Sequence, residues 1–131
     1  DNCLAGGKKS YHTIIPGFLM KDGEAVGPFG VMGGFMQPQG HVQVLVNTID
    51  YHMNPQEALD APRVQWMGGR SIQLEGEISP EIVQALAGMG HEVEVVSDRI
   101  DMGRGQIIWR TDNGLLAGGT EPRCDGTVAA W

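Results

Sequence analysis

Two adjacent glycines, Gly33-Gly34, separate a stretch that reads as strand from one that repeats like a helix. Upstream, Ala25 to Met32 is a strand candidate that contains Gly27-Pro28-Phe29-Gly30. Downstream, apolar residues recur at Val42, Leu45, Val46, Ile49 and Met53, the helical period, while Gln39, Gln43, Asn47 and Asp50 fall on another face. Pro38 is compatible with this helix only in its first turn, where the missing N–H costs nothing. The chain must therefore turn from strand to helix at a point with no side chain. Two consequences are open at such a junction. It is a tight turn where a Cβ would clash, or it leaves helix N-terminal N–H groups free to hold an anion or an acyl-transfer oxyanion. The glycine spacing is not that of a dinucleotide fingerprint, and the Gly-Lys-Ser/Thr of a P-loop is absent.

The neighbouring elements follow from local signals. Residues 1–10 are polar and read as a loop. Tyr11 to Met20 reads as a strand with a bulge or edge position around Pro16-Gly17. The turn Lys21-Asp22-Gly23-Glu24 joins it to Ala25–Met32 as a hairpin. Asn54-Pro55-Gln56-Glu57 is a capping box with proline at the first helical position, and it opens a short helix that stops before Pro62. Arg63–Met67 and Ser71–Glu75 read as strands about Gly68-Gly69. Ser79-Pro80-Glu81 opens a helix ending near Gly88 or Gly90, and Glu92–Val96 alternates as a half-buried strand. Gln106–Arg110 and Leu115–Gly119 flank the hairpin turn Asp112-Asn113-Gly114. The order β-β-α-α-β-β-α-β-β-β predicts an α+β fold, with helices packed on an antiparallel sheet, and a single domain over 1–131.

With 41% hydrophobic and 19% charged residues, the 131-residue chain has the means to build a core. A net charge of −7 and nine scattered Lys and Arg leave no basic footprint, which argues against nucleic acid and an anionic membrane surface as partners. No apolar run has the length of a bilayer span. Cys3 and Cys124 read as free thiols. His12, His41, His52 and His91 lack metal-ligand spacing, so no metal and no cofactor is expected. A Cys124–His nucleophile pair has no local support, and Glu92 with Glu94 reads as a solvated strand face.

From Tyr11 onward the sequence resembles the γ-glutamyltransferase (γ-glutamyltranspeptidase) family, as the C-terminal part of its small subunit in a divergent bacterial branch. The residues that carry the resemblance are Thr13-Ile14-Ile15-Pro16, Lys21-Asp22-Gly23, Met32-Gly33-Gly34 and Gln43 to Tyr51. The unbroken run Met53-Asn54-Pro55-Gln56-Glu57-Ala58-Leu59-Asp60-Ala61-Pro62-Arg63 adds to them. Gly90-His91-Glu92-Val93 and Gly118-Gly119-Thr120-Glu121-Pro122-Arg123-Cys124-Asp125-Gly126 complete the match.

The resemblance implies the α-β-β-α sandwich of N-terminal nucleophile hydrolases, present here in part. It implies a precursor that cleaves itself and a new N-terminal Thr that attacks a γ-glutamyl amide, as in glutathione, to give an acyl-enzyme passed on to water or an amine. Gly33 and Gly34 match the family's oxyanion-hole glycines. Thr13 and His12 fall where well-studied members carry two serines that hold the glutamyl α-carboxylate. Thr13 keeps a hydroxyl, and His12 departs from the pattern, which brings a related cephalosporin or glutaryl acylase into view. A non-catalytic assembly module is the remaining alternative.

The resemblance places the nucleophilic Thr upstream of Tyr11, absent from this chain, together with the large subunit as a missing partner. The expectations are an inactive isolated chain, its oligomerisation through uncovered apolar surface, and a cytoplasmic bacterial location over a periplasmic or secreted one.

Overall fold

A computed structural model describes residues 3–131, so the first two residues of the expected N-terminal loop lie outside it. In chain order the elements are β1 (Gly17–Lys21), β2 (Glu24–Met32), α1 (Met36–Ile49), α2 (Pro55–Asp60), β3 (Val64–Gly68), β4 (Ser71–Glu75), α3 (Pro80–Gly88), β5 (Glu92–Val96), β6 (Arg104–Arg110) and β7 (Leu116–Thr120). The fold is α+β, in the expected element order.

The hairpins form where the turn chemistry puts them. Asp22 and Gly23 both take positive φ, 52° and 83°, as a two-residue hairpin turn requires. At the other turn Thr111 N donates to Leu115 O and Gly114 N to Thr111 O. The first strand is shorter than Tyr11–Met20 suggests. Pairing begins only at Gly17, and the bulge falls between Leu19 and Met20. Residues 11–16, with Pro16 unable to donate to a ladder, run as irregular backbone.

The described residues build two sheets where hairpins had pointed to one antiparallel sheet. The first is antiparallel, in the order β1-β2-β6-β7. The second is β3-β4-β5, in which β3 and β4 are antiparallel but β4 and β5 run parallel. The reason is the α3 crossover, which carries the chain back so that β5 enters from the same end as β4.

Helices α1 and α2 lie on one face of the four-stranded sheet. The core between them is Val31, Val44, Ala58, Leu59, Ile107 and Trp109, with Leu19, Val26, Phe29 and Met53 packed against it. Strand alternation is clean in β6, where Gly105, Ile107 and Trp109 are buried and Gln106, Ile108 and Arg110 are exposed. This supplies one helix layer and one sheet of the α-β-β-α sandwich. Phe18, Met20 and Ile108 stand exposed on the sheet.

Helix α1 has the expected period but turns a different face inward. Its buried residues are Met36, Gln37, Gly40, His41 and Val44. Of the apolar stripe Val42, Leu45, Val46, Ile49 and Met53, Val42, Val46 and Ile49 are exposed, Leu45 is half-buried and Met53 packs against the core. Gly40 explains the choice: a Cβ there would lie 2.6 Å from Val31 Cγ1, so the helix approaches β2 along its glycine.

The Asn54 cap is complete. Asn54 Oδ1 accepts from Glu57 N at 3.0 Å, and Glu57 Oε2 accepts from Asn54 N at 2.9 Å. Asn54→Ala is expected to lower stability by about 1 kcal/mol in urea unfolding. At the start of α3, Glu81 has its carboxyl held below the ordinary range, by its own backbone N–H first and then by the Ser79 hydroxyl. That contribution is present above the unfolded value and lost as pH falls through the lower folded one. An NMR titration should therefore show Ser79→Ala moving Glu81 up, and an unmoved Glu81 would remove the Ser79 contribution.

Candidate functional site

At the strand-to-helix junction, Gly33 and Gly34 both take positive φ, 144° and 58°. A Cβ on Gly33 would lie 3.0 Å from Gly103 Cα and 3.3 Å from Met36 Cβ, so close approach and conformation both require glycine there. The carbonyls of Gly33 and Gly34 accept from Met36 N at 3.0 Å and Gln37 N at 3.2 Å. The helix begins after Phe35 with no side-chain cap, which leaves its N-terminal N–H end without a side-chain acceptor. The local dipole there favours negative charge.

Thr13 is brought to the same helix turn. Its carbonyl accepts from Gln37 Nε2 at 3.0 Å, and Ile15 N donates to Gln37 Oε1 at 2.9 Å. The side chains of His12 and Thr13 are exposed. An apolar groove of about 350 Å³ runs beside this segment over Ile14, Pro16, Pro28, Met32 and Ile108. Cys3 and Cys124 are both free thiols. Among the described residues no His, Cys, Asp and Glu group has the makings of a metal site, and no helix is long and apolar enough to cross a membrane.

Behind the double glycine lies a cluster to which the sequence reading gave no role. Arg63, Glu75, Glu121 and Arg123 are buried together, two cations against two carboxylates. Arg63 Nη2 donates to Glu121 Oε2 at 2.8 Å, and its Nη1 donates to the carbonyls of Met102 at 3.0 Å and Gly103 at 2.9 Å. Arg123 Nη1 donates to Glu121 Oε1 at 2.6 Å, while its Nε and Nη2 form a fork on Glu75.

The backbone completes the set. Gly105 N donates to Glu121 Oε2 at 2.6 Å and Arg63 N to Glu75 Oε2 at 2.8 Å. Burial pulls the Arg63 guanidinium below its ordinary value, against the raising effect of Glu121. Burial acts the same way on Arg123, but its bonds to Glu75 and Glu121 outweigh it and hold that group up. Both remain charged, since a guanidinium does not deprotonate in proteins.

The cluster's position gives it a bearing on the turn. Arg63 grips the Met102-Gly103 backbone, and Gly103 is the surface against which Gly33 packs. The signal was in the sequence, since Arg63 and Arg123 each sit in one of the resembled motifs. Nothing local says that two segments so far apart in the chain share a salt-bridge network.

The fold superposes on the crystal structure of a cephalosporin acylase from Bacillus halodurans with a TM-score of 0.88 and 62% identity, covering 98% of this chain and 24% of that one. That architecture is the fold of the N-terminal nucleophile hydrolases. The gamma-glutamyltranspeptidase family model matches residues 1–131, and the chain belongs to that family.

Among curated relatives, the glutathione hydrolase-like YwrD proenzyme of Bacillus subtilis is 35% identical over 97% of this chain and 25% of its own length. The oxamate amidohydrolase proenzyme of Klebsiella pneumoniae is 36% identical over 98% of this chain, again 25% of its own length. The chain thus spans about a quarter of the length of the relatives it matches.

Arg63→Met removes one partner and leaves the Glu121 charge buried with less compensation. It is expected to lower unfolding free energy by about 3–5 kcal/mol in denaturant titration. A loss below about 1 kcal/mol, the range of an exposed pair, would show that the cluster does not hold the fold together.

Proposed function

We propose that this chain is the oxyanion-binding and acyl-gripping part of an amide hydrolase or acyltransferase whose nucleophilic Thr lies upstream in a longer polypeptide. The observation that carries the reading is the uncapped double-glycine turn at the start of α1, with the Thr13–Ile15 segment bonded to the same turn. In this reading the Thr Oγ attacks the amide carbonyl, and the N–H groups of Gly33 and Gly34 hold the resulting oxyanion. The amine leaves with a proton, an ester remains on Thr, and water or an acceptor amine then releases the acyl group. Thr13 and His12 meet the far end of that acyl group. By itself the chain has no nucleophile for this step and is inactive.

The family points to γ-glutamyl amides as substrates. A second reading, a different acyl group such as glutaryl, is favoured by His12, which stands where a serine is expected. It is also supported by the 62% identity to a protein described as a cephalosporin acylase. The exposed stripe of Val42, Val46 and Ile49, with Phe35 92% exposed, is the surface the rest of the parent protein covers. In its absence the chain self-associates, and a monodisperse monomer in light scattering would refute this.

The test uses the full-length, processed parent and chromogenic γ-glutamyl and glutaryl anilides. Gly33→Ala pushes a methyl against Gly103 and Met36 and must shift the turn. With folding intact, kcat is expected to fall by roughly 10²-fold. An unchanged kcat would exclude the oxyanion role. Turnover of the glutaryl amide alone would favour the second acyl group, and turnover of neither would leave the assembly module as the better reading.

A further inference from the structure

Gln37 links the two halves of the site just described. Its backbone N–H donates to Gly34 O at 3.2 Å, so it belongs to the double-glycine turn. Its side chain is buried and reaches in the opposite direction, accepting from Ile15 N at 2.9 Å and donating to Thr13 O at 3.0 Å. One turn on, the buried ring of His41 lies between two carbonyls, with Nε2 2.8 Å from Ile15 O and Nδ1 2.6 Å from Gln37 O. The Phe29 ring packs on His41 at 5.3 Å between centroids.

The segment held in this way has little else to hold it. It precedes β1, which begins at Gly17, and Tyr11 to Pro16 are exposed. Among the described residues, the Thr13 carbonyl and both backbone polar groups of Ile15 are engaged by these two side chains. A primary amide bonded to the N–H of one residue and the carbonyl two residues earlier reproduces the pairing of a neighbouring strand.

We propose that Gln37 and His41 are positioning residues that fix the distance between the Thr13 side chain and the Gly33-Gly34 turn, and through it the length of acyl group the site accepts. This rests on the function proposed above. Neither residue touches substrate. Gln37 transmits the position of the oxyanion turn to the segment that grips the far end of the acyl group, and His41 locks the Ile15 carbonyl behind it. Acyl groups of one length then span both ends of the site, whereas shorter or longer ones engage only one.

The experiment uses the full-length parent with two readouts: steady-state kinetics on the anilides, and hydrogen exchange at Ile15. Gln37→Met keeps the side-chain volume and removes both bonds. It is expected to raise KM for the preferred anilide about tenfold, more than it lowers kcat. Exchange at the Ile15 amide is expected to speed up by about tenfold or more while the α1 amides around Val44 stay protected. Gln37→Glu retains the acceptor for Ile15 N and should restore Ile15 protection and part of the KM.

An unchanged KM, or an Ile15 amide indifferent to Gln37→Met, would overturn the proposal. Loss of protection throughout α1 would also overturn it, by making Gln37 a folding residue. If the wild type turns over no anilide, the proposed function fails, while a slow Ile15 amide released by Gln37→Met would still establish the clamp.

Discussion

The closed network of Arg63, Glu75, Glu121 and Arg123 is the constraint on which the remaining geometry rests. Glu75 ends β4, Glu121 and Arg123 follow β7, and Arg63 lies between α2 and β3. The four side chains therefore join the three-stranded sheet to the four-stranded one. Their contacts extend to the carbonyls of Leu59 and Ala61 at the end of α2 and to the Met102–Gly105 backbone that leads into β6. Burying four charges is costly, and well-packed apolar groups would stabilise the fold as much or more. What the network adds is direction. A guanidinium fork matches a carboxylate in few orientations, so the two sheets, the α2 terminus and the strand behind Gly33 meet in one arrangement.

Glutamine side chains do related work at smaller scale. Gln43 accepts from Val64 N at 2.9 Å and donates to Val64 O at 2.8 Å, while Gln39 does the same for Trp66 at 2.7 Å and 3.3 Å. Residues 64 and 66 sit two apart on edge strand β3, and Gln39 and Gln43 sit four apart on α1. One helix face thereby serves as a strand neighbour. Gln56 grips both backbone groups of Thr120, one residue before Glu121. With Gln37 on Thr13 and Ile15, irregular or edge backbone is repeatedly tied to a helix by a primary amide that can donate and accept at once.

The same scaffold recurs in relatives that carry different names. The cephalosporin acylase, the glutathione hydrolase-like proenzyme and the oxamate amidohydrolase proenzyme each match nearly all of this chain within a much longer one. The double-glycine turn is built from backbone and carries no side chain of its own. The 12–15 segment meets solvent with its side chains and, among the described residues, is tied to α1 through its backbone.

The sequence by itself determined whatever depends on residues within one helical turn of each other. Asp22-Gly23 and Asp112-Asn113-Gly114 set the hairpins because Asp22, Gly23 and Gly114 take the positive φ these turns need. Asn54 to Glu57 set the start of α2 because cap and N3 bond each other. Gly33-Gly34 set the junction because both take positive φ and a Cβ on Gly33 would crowd Gly103 and Met36. The family resemblance named the double glycine and Thr13 as candidates, and the fold brings both to one helix turn. Tertiary structure alone decided which face of α1 is inward, since periodicity defines a stripe but not what it meets, and Gly40 against Val31 settled that contact. It alone split the strands into two sheets, turned polar Gln39 and Gln43 into strand partners, and brought Arg63 to Glu121 and Arg123 to Glu75. Local propensity extends about four residues along a chain, and those last pairs are separated by 58 and 48.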